Sequence, residues 1–247
     1  SNVQTFVVDN ASSDGSAAMV RERFPWAQLI ENRENVGFAR ANNQAIRESQ
    51  AAYLLLLNSD TELLPGALAE LLGFMNAHPK AGACGARLLN ADGSLQPSCH
   101  PMLTPWREFW RLTFLDRLRP LATYDMSSWD PQAPRQVEVI KGACLMLRRE
   151  ALDQVGLLDE GYFMYTEEMD LCFRLLQAGW QLYWGPLALV EGARVALAMI
   201  DFGAALERGA SRQELEQLSL ALALACRRSL GESWDVELDE LHVRGGG

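Results

Sequence analysis

Residues 53–60 read YLLLLNSD, a run of five apolar residues that ends in three polar ones. A continuous apolar run of this length is typical of a strand that is buried on both faces of a parallel sheet. Such a strand places Asn58, Ser59 and Asp60 at its carboxyl end, where open α/β sheets bind ligands. Because all three are turn-forming residues, a simple turn is an equally good interpretation of the triplet alone.

The segments on either side of this strand alternate between strand and helix patterns. They predict strands at 5–8 and 28–31 and helices at 17–23 and 38–48. A further helix is predicted from Pro65 onward, where apolar residues recur at helical spacing at positions 68, 71, 72 and 75. This order predicts an α/β fold with a parallel sheet and helices on its faces. Asp9 and Asn10 follow the first strand, so we expect them in the same crevice as Asp60.

The second half of the chain begins with a less regular region. Residues 91–136 contain six prolines and no clean strand. After them we predict a strand at 137–147, helices at 149–155 and 167–178, a strand at 181–184 and a helical pattern from about 193 onward. We therefore divide the chain into an α/β domain at residues 1–190 and a helical C-terminal extension at residues 191–247.

The composition limits the class of protein. The 247 residues carry a net charge of −10 and are 49% apolar, which describes a globular protein without the basic surface that broad nucleic-acid binding needs. The five cysteines form no CxxC pair, and we expect reduced thiols, mostly in the core of a cytoplasmic protein. The three histidines do not cluster in sequence, which argues against zinc. No apolar run approaches the ~20 residues of a membrane span.

Two polar groups in the first half are candidates for a nucleotide site. Asp9 either accepts a hydrogen bond from a ligand or caps the helix that follows, although Ser13 and Asp14 are also available as caps. Asn35 and Gly37 precede a predicted helix, where a glycine lets the backbone approach a ligand and the helix N-terminus favours phosphate. An ordinary glycine-containing loop is the alternative.

An acidic cluster, Thr166-Glu167-Glu168-Met169-Asp170, begins the helix predicted at 167–178. Thr166 is a good N-cap, and acids in the first turn complement the helix dipole. Three acids in four positions exceed what capping requires. One of them is therefore a candidate general base, and the aromatic residues just before the cluster are candidates for a sugar site.

Residues 105–120 have an amphipathic pattern that permits two interpretations. Tryptophan, phenylalanine and leucine residues share one face, and the stretch has a charge of +2 in an acidic protein. This pattern fits a helix that lies at the inner face of a cell membrane. A helix packed over the core as a lid fits it too, and we favour the lid.

Four longer strings occur in order along the chain. They are VVDNASSDGS (7–16), ENVGFARANNQAI (34–46), LLLLNSDTEL (54–63) and KGACLMLRREALDQVGLLDEGYFMYTEEMDLCFRLLQAGW (141–180). Together they resemble glycosyltransferase family 2 and, within it, the bacterial rhamnosyltransferase-like branch, over residues 3–190. The resemblance implies a Rossmann-like GT-A fold with a mixed, mainly parallel sheet flanked by helices. Since the family ordinarily begins with another strand and helix before residue 7, we expect that first strand and helix to be absent here.

The resemblance also assigns the nucleotide and metal side of a site. Asp9 would contact the base, with Asn10 beside it, and Asn35 and Gly37 would lie along the nucleotide. Asp60 matches the acid that binds Mg²⁺ or Mn²⁺ in the family. Asn58 stands where the family has a first acid, so the site has one carboxylate fewer.

The acidic cluster matches the family's catalytic acids. Glu168 matches the base of inverting members, and Glu167 precedes it in the same motif. Asp170 and Arg174 would support them from the same helix. A helix N-terminus lowers the pKa of a carboxyl, and a second acid next door raises it again, so we expect Glu167 to tune Glu168.

The resemblance implies an inverting glycosyltransferase, acting on a nucleotide-sugar donor such as dTDP-rhamnose and on a glycan or lipid-linked acceptor. The alternative is a non-catalytic descendant that binds a nucleotide or a partner. Two departures from the family favour this alternative, namely Asn58 and the lack of a histidine soon after residues 180–186.

Overall fold

The computed structural model describes residues 3–64, 66–90, 93–115, 121–130, 133–191 and 211. In the first half the elements are β1 (Phe6–Asp9), α1 (Ser16–Arg23), β2 (Gln28–Glu31), α2 (Phe38–Glu48), β3 (Tyr53–Leu57), β4 (Thr61–Leu63), α3 (Ala67–Ala77) and β5 (Ala81–Leu89). Further along they are β6 (Leu95–Gln96), β7 (Cys99–His100), α4 (Pro105–Leu112), β8 (Arg135–Gln136), β9 (Val139–Ile140), β10 (Cys144–Arg148), α5 (Arg149–Val155), α6 (Glu167–Gln177) and β11 (Gln181–Glu191). A 3-10 turn occupies Met126–Ser128.

The strands form one large sheet and two small ones. The large sheet has the order β3-β10-β5-β11-β4, with β6 paired to β5 and β8 paired to β11. β1 pairs with β2 in parallel, and β7 pairs with β9. The predicted α/β fold with a mixed sheet is confirmed. Parallel pairing is less common than we expected, since among the described strands only β1–β2 and β5–β11 pair in parallel. The reason is that β10 inserts antiparallel between β3 and β5.

The core lies on both faces of the large sheet. Apolar residues of α2, α5 and α6 pack on one face and those of α3 on the other. The alternating side chains of β10 show this arrangement, because Leu145 and Leu147 join the first cluster while Cys144 and Met146 join the second. A strand covered on both faces needs an apolar residue at every position, as the sequence of β3 and β10 indicates.

The central strand β5 is an element that the sequence pattern did not predict. Its sequence, AGACGARLL, is rich in alanine and glycine, which are poor strand formers. Its glycines permit close packing. A β-carbon on Gly85 would lie 2.3 Å from the Cγ2 of Ile140, and one on Gly82 would lie 2.8 Å from the Cβ of Trp180. Packing against neighbouring elements, and not local strand propensity, therefore determines that this segment forms a strand.

Several element boundaries differ from the predictions. The strand expected at 137–147 is two strands, β9 and β10, separated by residues 141–143, and three two-residue strands lie within or at the end of the 91–136 region. The strand expected at 181–184 continues to Glu191. Pro65, the predicted start of α3, and residues 192–210 and 212–247 of the predicted helical extension lie outside the described residues.

The cysteines of the described part of the chain are those expected of a reduced core. Cys84, Cys99, Cys144 and Cys172 are buried and unpaired. Burial raises the pKa of each of these four thiols to about 12. They are therefore protonated and unreactive at neutral pH.

Along its described residues helix α4 does not pack over the core as the favoured lid would, and residues 116–120 of the predicted stretch lie outside the described residues. None of its residues is buried, and Trp106, Phe109 and Leu112 are 60%, 51% and 66% exposed. Its opposite side is tied to the body of the protein by Arg107, which donates from Nη2 to Glu138 Oε1 (3.1 Å) and from Nη1 to the Met102 carbonyl (2.9 Å). This tie turns the apolar face outward. No helix among the described residues is long and apolar enough to span a membrane.

Candidate active site

Asn10, just after β1, is the centre of a hydrogen-bonded group at the start of α2. Its Nδ2 donates to Asn35 Oδ1 (3.0 Å) and to the Gly37 carbonyl (3.3 Å). Its Oδ1 accepts from Asn32 Nδ2 (3.1 Å) and from the Val36 N–H (3.2 Å). We call this group of five residues the nucleotide-side joint. Three of the predicted site residues, Asn10, Asn35 and Gly37, therefore lie together.

Asp9 ends β1 next to this joint and is buried. Its Oδ2 accepts from the Ser12 N–H at 3.1 Å, and its carbonyl accepts from the Asn32 N–H at 2.9 Å. The alternative in which Asp9 caps α1 is wrong, since that helix starts after Gly15 without a side-chain cap. Asp14 holds the start of the helix instead, by accepting from the Ser16 N–H at 2.9 Å.

Gly37 occupies a position that admits no side chain. Its φ of 86° lies in the left-handed region, and a β-carbon there would come within 2.5 Å of the Phe163 carbonyl oxygen. That carbonyl accepts from the Phe38 N–H at 2.9 Å. The start of α2 is thus joined directly to the chain that leads into the acidic helix α6.

The Asn58–Asp60 triplet forms the turn between β3 and β4. The Asn58 N–H donates to the Ala143 carbonyl (3.0 Å), and its own carbonyl accepts from the Thr61 N–H (3.1 Å). The neighbouring Gly142 faces the ring of Phe38, so this turn approaches the start of α2. Asp60 is half-buried, and no described hydrogen bond or ion pair links it to Asp9 or Glu168.

Residues 161–168, which we call the acid segment, combine exposed aromatic residues, strained backbone and buried acids. Tyr165 and Thr166 have φ values of 67° and 71°, which are rare for non-glycine residues and especially for a β-branched one. Thr166 occupies the N-cap position but makes no side-chain cap, contrary to prediction, because its backbone is left-handed. The buried Oε2 atoms of Glu167 and Glu168 have no hydrogen-bond partner among the described residues.

Glu167 is the more buried of the two adjacent acids, at 4% exposure. Burial raises the pKa of its carboxyl, and the neighbouring charge of Glu168 raises it further. We expected Glu167 to tune Glu168. That expectation stays a prediction, because the effect resolved here is that of the Glu168 charge on Glu167.

Asp170 and Arg174 form an ion pair one turn apart on α6, with Arg174 Nε donating to Asp170 Oδ2 at 2.8 Å. Arg174 also donates to the carbonyls of Val155 and Leu157, both at 2.8 Å. These bonds fix α6 to the end of α5. Their support of Glu167 and Glu168 stays a prediction.

Two further polar residues, Asn43 on α2 and Glu160, connect α2 to the chain before α6. Asn43 is fully buried and donates from Nδ2 to Glu160 Oε1 at 3.0 Å. Sequence analysis did not select them. The sequence did contain a signal, because Asn43 lies on the apolar face of α2 between Ala39 and Ile46. A polar side chain buried at such a position needs a specific hydrogen-bond partner.

The described residues do not enclose a metal site of their own. No group of three or more histidine, cysteine, aspartate or glutamate side chains is arranged to hold an ion within the described ranges. Asp60, in the turn between β3 and β4, fits a hard divalent ion only if a ligand such as a diphosphate provides most of the oxygen atoms.

The sequence matches the profile described as "Glycosyl transferase family 2" over residues 1–156, more than half of the chain. The chain belongs to glycosyl transferase family 2. The resemblance of the four strings to this family is thereby confirmed.

Family 2 relatives match along most of this chain. The N-acetylglucosaminyl-diphospho-decaprenol L-rhamnosyltransferase of Mycobacterium tuberculosis is 32% identical over 202 residues, which cover 76% of this chain and 66% of that protein. The low-salt glycan biosynthesis hexosyltransferase of Haloferax volcanii is 28% identical over 178 residues, which cover 68% of this chain and 52% of that protein. This family 2 chain therefore spans about half to two thirds of the length of these relatives.

Solved structures show the same GT-A fold as this family 2 chain. GalNAc-T7, crystallised with UDP, GalNAc and Mn²⁺, aligns with a TM-score of 0.56 at 14% identity, covering 76% of this chain and 37% of its own. TarS 1–349 from S. aureus aligns with a TM-score of 0.50 at 13% identity, covering 89% and 60%. At these identities the likeness establishes the fold.

Proposed function

We propose that the protein is an inverting glycosyltransferase that moves a sugar from a nucleotide-sugar donor to an acceptor hydroxyl. The observation that carries this proposal is the contact between Phe38 and Phe163. It brings the nucleotide-side joint against the acid segment, which a direct transfer from donor to acceptor requires. Family membership supports the same reaction class, and the mycobacterial relative supports dTDP-rhamnose as the donor to test first.

In the proposed reaction Glu168 is the general base. It removes the proton from the acceptor hydroxyl while that oxygen attacks the anomeric carbon on the face opposite the diphosphate. The new carbon–oxygen bond forms as the bond to the diphosphate breaks, and the nucleoside diphosphate leaves with the electron pair. A single displacement of this kind inverts the anomeric centre.

The residues on the nucleotide side bind and orient the donor. Asp9 would accept from the base, and Asn35 and Gly37 would contact the nucleotide next to the start of α2, where the helix dipole favours phosphate. Asp60, with Asn58 beside it, would hold a Mg²⁺ or Mn²⁺ ion that the donor diphosphate also binds. When bound, this ion stabilises the negative charge of the leaving group.

The proposal is tested by transfer from a panel of nucleotide sugars, led by dTDP-rhamnose, with Mg²⁺ or Mn²⁺. We expect Glu168→Gln to lower kcat by about 10²–10⁴-fold, the usual contribution of a general base. Asp60→Ala is expected to lower transfer and to raise the metal concentration needed. Undiminished transfer by both variants would overturn the site assignment. Nucleotide binding by calorimetry with no transfer from any donor would instead support a non-catalytic, nucleotide-binding protein, the alternative favoured by Asn58.

We also propose that the outward face of α4 binds the membrane surface and thereby brings the enzyme to a lipid-linked acceptor. Trp106, Phe109 and Leu112 form an exposed apolar stripe of the kind that enters the interface of a bilayer. Arg107 is paired with Glu138, and Arg111 with Glu108, so little positive charge remains free within the described part of this stretch. Apolar burial should therefore provide most of the binding energy of this part of the stretch. The acceptor of the mycobacterial relative, as its name states, is a lipid-linked sugar diphosphate.

Co-sedimentation with phosphatidylethanolamine–phosphatidylglycerol vesicles tests this membrane contact. We expect the wild type to sediment with vesicles and the double variant Trp106→Ala/Phe109→Ala to remain in the supernatant. Trp26→Ala removes an exposed tryptophan elsewhere on the surface and should sediment like the wild type. Equal, negligible sedimentation of all three proteins would contradict the contact.

A further inference from the structure

Helix α2 is bonded to the chain before α6 through the side chain of Asn43. The Nδ2 of Asn43 donates to the Leu158 carbonyl (2.8 Å) and to Glu160 Oε1 (3.0 Å), and its Oδ1 accepts from the Leu158 N–H (3.2 Å). Arg47, one turn further along α2, donates to the same Glu160 oxygen at 2.7 Å. Three bonds of one fully buried amide, two to Leu158 and one to Glu160, fix these residues relative to α2.

A second connection lies five residues further along the chain, where the Phe38 N–H donates to the Phe163 carbonyl. Between this point and α6 lie Tyr165 and Thr166, both in the left-handed region. Strained backbone of this kind persists only where the surrounding structure determines it from several directions. The connections at Asn43 and Phe38 hold the chain before these two residues, and the bonds of Arg174 to the end of α5 hold α6 after them.

The hydrogen bonds of the nucleotide-side joint do not run through Asn43. The hydrogen bonds of Asn10 run to Asn32, Asn35, Val36 and Gly37, and none of them involves Asn43 or Leu158. A change at Asn43 should therefore displace the acid segment while leaving the nucleotide side in place.

We propose that Asn43 is a positioning residue, whose bonds to Leu158 and Glu160 set the distance between the donor and Glu168. This inference rests on the proposed function, because it assigns Glu168 to the attacking hydroxyl. Asn43 touches neither donor nor acceptor. It acts on the rate of transfer through the acid segment, since displacement of a catalytic group by about 1 Å costs up to ~10²-fold in rate.

The variant that tests this proposal is Asn43→Asp, which is nearly identical in shape. The carboxylate still accepts from the Leu158 N–H but cannot donate to the Leu158 carbonyl. It also faces Glu160, whose pKa is held low by hydrogen bonds from Asn43 and Arg47 and which is therefore charged. We expect kcat to fall about tenfold while the donor KM and the Kd for the nucleoside diphosphate change less than about twofold. Asn42→Asp is the matched control, because the Asn42 amide bonds only within α2, to the Phe38 carbonyl at 2.9 Å.

A double variant provides a rescue. Combining Asn43→Asp with Glu160→Gln restores a hydrogen bond in the reverse direction, in which the amide at position 160 donates to the carboxylate at position 43. It also removes the repulsion between two carboxylates. We expect it to recover part of the lost kcat, so that the double variant is faster than Asn43→Asp alone. A merely structural residue would change thermal stability without this separation of kcat from KM.

Each outcome decides the question. Wild-type kcat in a folded Asn43→Asp protein, or an equal loss in Asn42→Asp, would overturn the proposal. If Asn43→Asp does not fold, Glu160→Ala removes the side-chain acceptor at a partly exposed position, and wild-type kcat in that variant would overturn it equally. Hydrogen exchange across residues 157–168 should rise in Asn43→Asp. Unchanged exchange there would overturn the inference even if the wild type transferred no sugar, a result that by itself would count only against the proposed function.

Discussion

The two sides of the candidate site are built in opposite ways. On the nucleotide side both polar atoms of the Asn10 side chain are hydrogen-bonded, and the left-handed position belongs to Gly37, which adopts it without strain. On the acid side the left-handed positions belong to Tyr165 and Thr166, and buried oxygens of Glu167 and Glu168 have no partner among the described residues. The nucleotide side thus has its polar groups paired, whereas the acid side has strained backbone and carboxylate oxygens without a described partner.

This difference teaches where a ligand would change the structure. A joint whose polar groups are already paired is preorganised, and a nucleotide can bind it with little rearrangement. Buried carboxylate oxygens without partners carry a desolvation cost that an incoming hydroxyl group would reduce. We therefore expect donor binding to depend on the nucleotide-side joint, and acceptor binding and catalysis to depend on the acid segment.

The largest effect is expected where the two sides meet, at Gly37. Gly37→Ala places a β-carbon against the Phe163 carbonyl at a left-handed φ, and should lower the free energy of unfolding by about 3 kcal/mol. Chemical denaturation measures this change. Gly73→Ala is the matched control, since that glycine lies within α3 and a β-carbon there has open space. It should raise the free energy of unfolding by up to ~1 kcal/mol. Similar values for the two variants would contradict the proposed contact.

The next effect separates the nucleotide side from the rest of the protein. Asn10→Ala leaves several polar groups of the joint unpaired, which costs about 1–3 kcal/mol of the interactions that hold the joint in its binding conformation. The affinity for a nucleoside diphosphate should therefore fall about tenfold. Isothermal titration calorimetry measures it. Asn76 lies on helix α3, on the other face of the large sheet, and accepts a hydrogen bond from the Tyr53 hydroxyl. Asn76→Ala should leave the affinity for the nucleoside diphosphate unchanged. Unaltered affinity in Asn10→Ala would show that the joint does not organise the nucleotide site.

A smaller effect tests the strain of the acid segment. Thr166→Asn places a residue that tolerates the left-handed conformation, and that can cap α6, at the N-cap position. The free energy of unfolding should rise by about 1 kcal/mol while kcat falls, because relief of strain moves the acids from their working position. Thr166→Ala removes both the hydroxyl and the methyl group, so it relieves the crowding of the β-branch but cannot cap α6. Its free energy of unfolding should lie between those of the wild type and Thr166→Asn. A rise in stability with no loss of turnover would show that the strain has no catalytic role.

The smallest effect concerns the pH dependence of stability. Because the pKa of Glu167 is raised by folding, its stabilising contribution is present at low pH and is lost as the pH rises through the raised pKa. Glu167→Gln cannot ionise, so its Tm should rise relative to that of the wild type as the pH increases from 4 to 7. A Tm difference that does not change with pH would contradict the assignment. Glu168→Gln provides the comparison at the adjacent position.

The sequence predicted those parts of the fold that local pattern determines. Strands β2 and β3 and helices α2 and α5 occur at the predicted residues, because their apolar spacing and their ends are local properties. Strand β5 was missed because its alanines and glycines are selected by close packing against Ile140 and Trp180, and no local scale records that contact. The outward orientation of the apolar face of α4 could likewise not be predicted from the sequence. It depends on the bond between Arg107 and Glu138, which are distant in sequence.

The candidate site divides in a similar way. The types and order of Asp9, Asn35, Asp60 and Glu168 were visible as motifs, and their roles remain predictions. Their connections were not visible. The place of Asn43 on the apolar face of α2 indicated a buried polar residue, but only the folded chain shows that its partner is Leu158.

The insertion of β10 between β3 and β5 has a consequence for how the chain folds. Strand β3 ends at Leu57, whereas its partner strand begins only at Cys144, so the two neighbours can pair only after a long loop has closed. Pairings so distant in sequence slow folding. During synthesis the edge of the apolar strand YLLLL would stay unpaired until β10 has been synthesised. Unpaired strand edges can pair with other chains and cause aggregation. We therefore expect the yield of folded protein to improve when a chaperone protects the nascent chain.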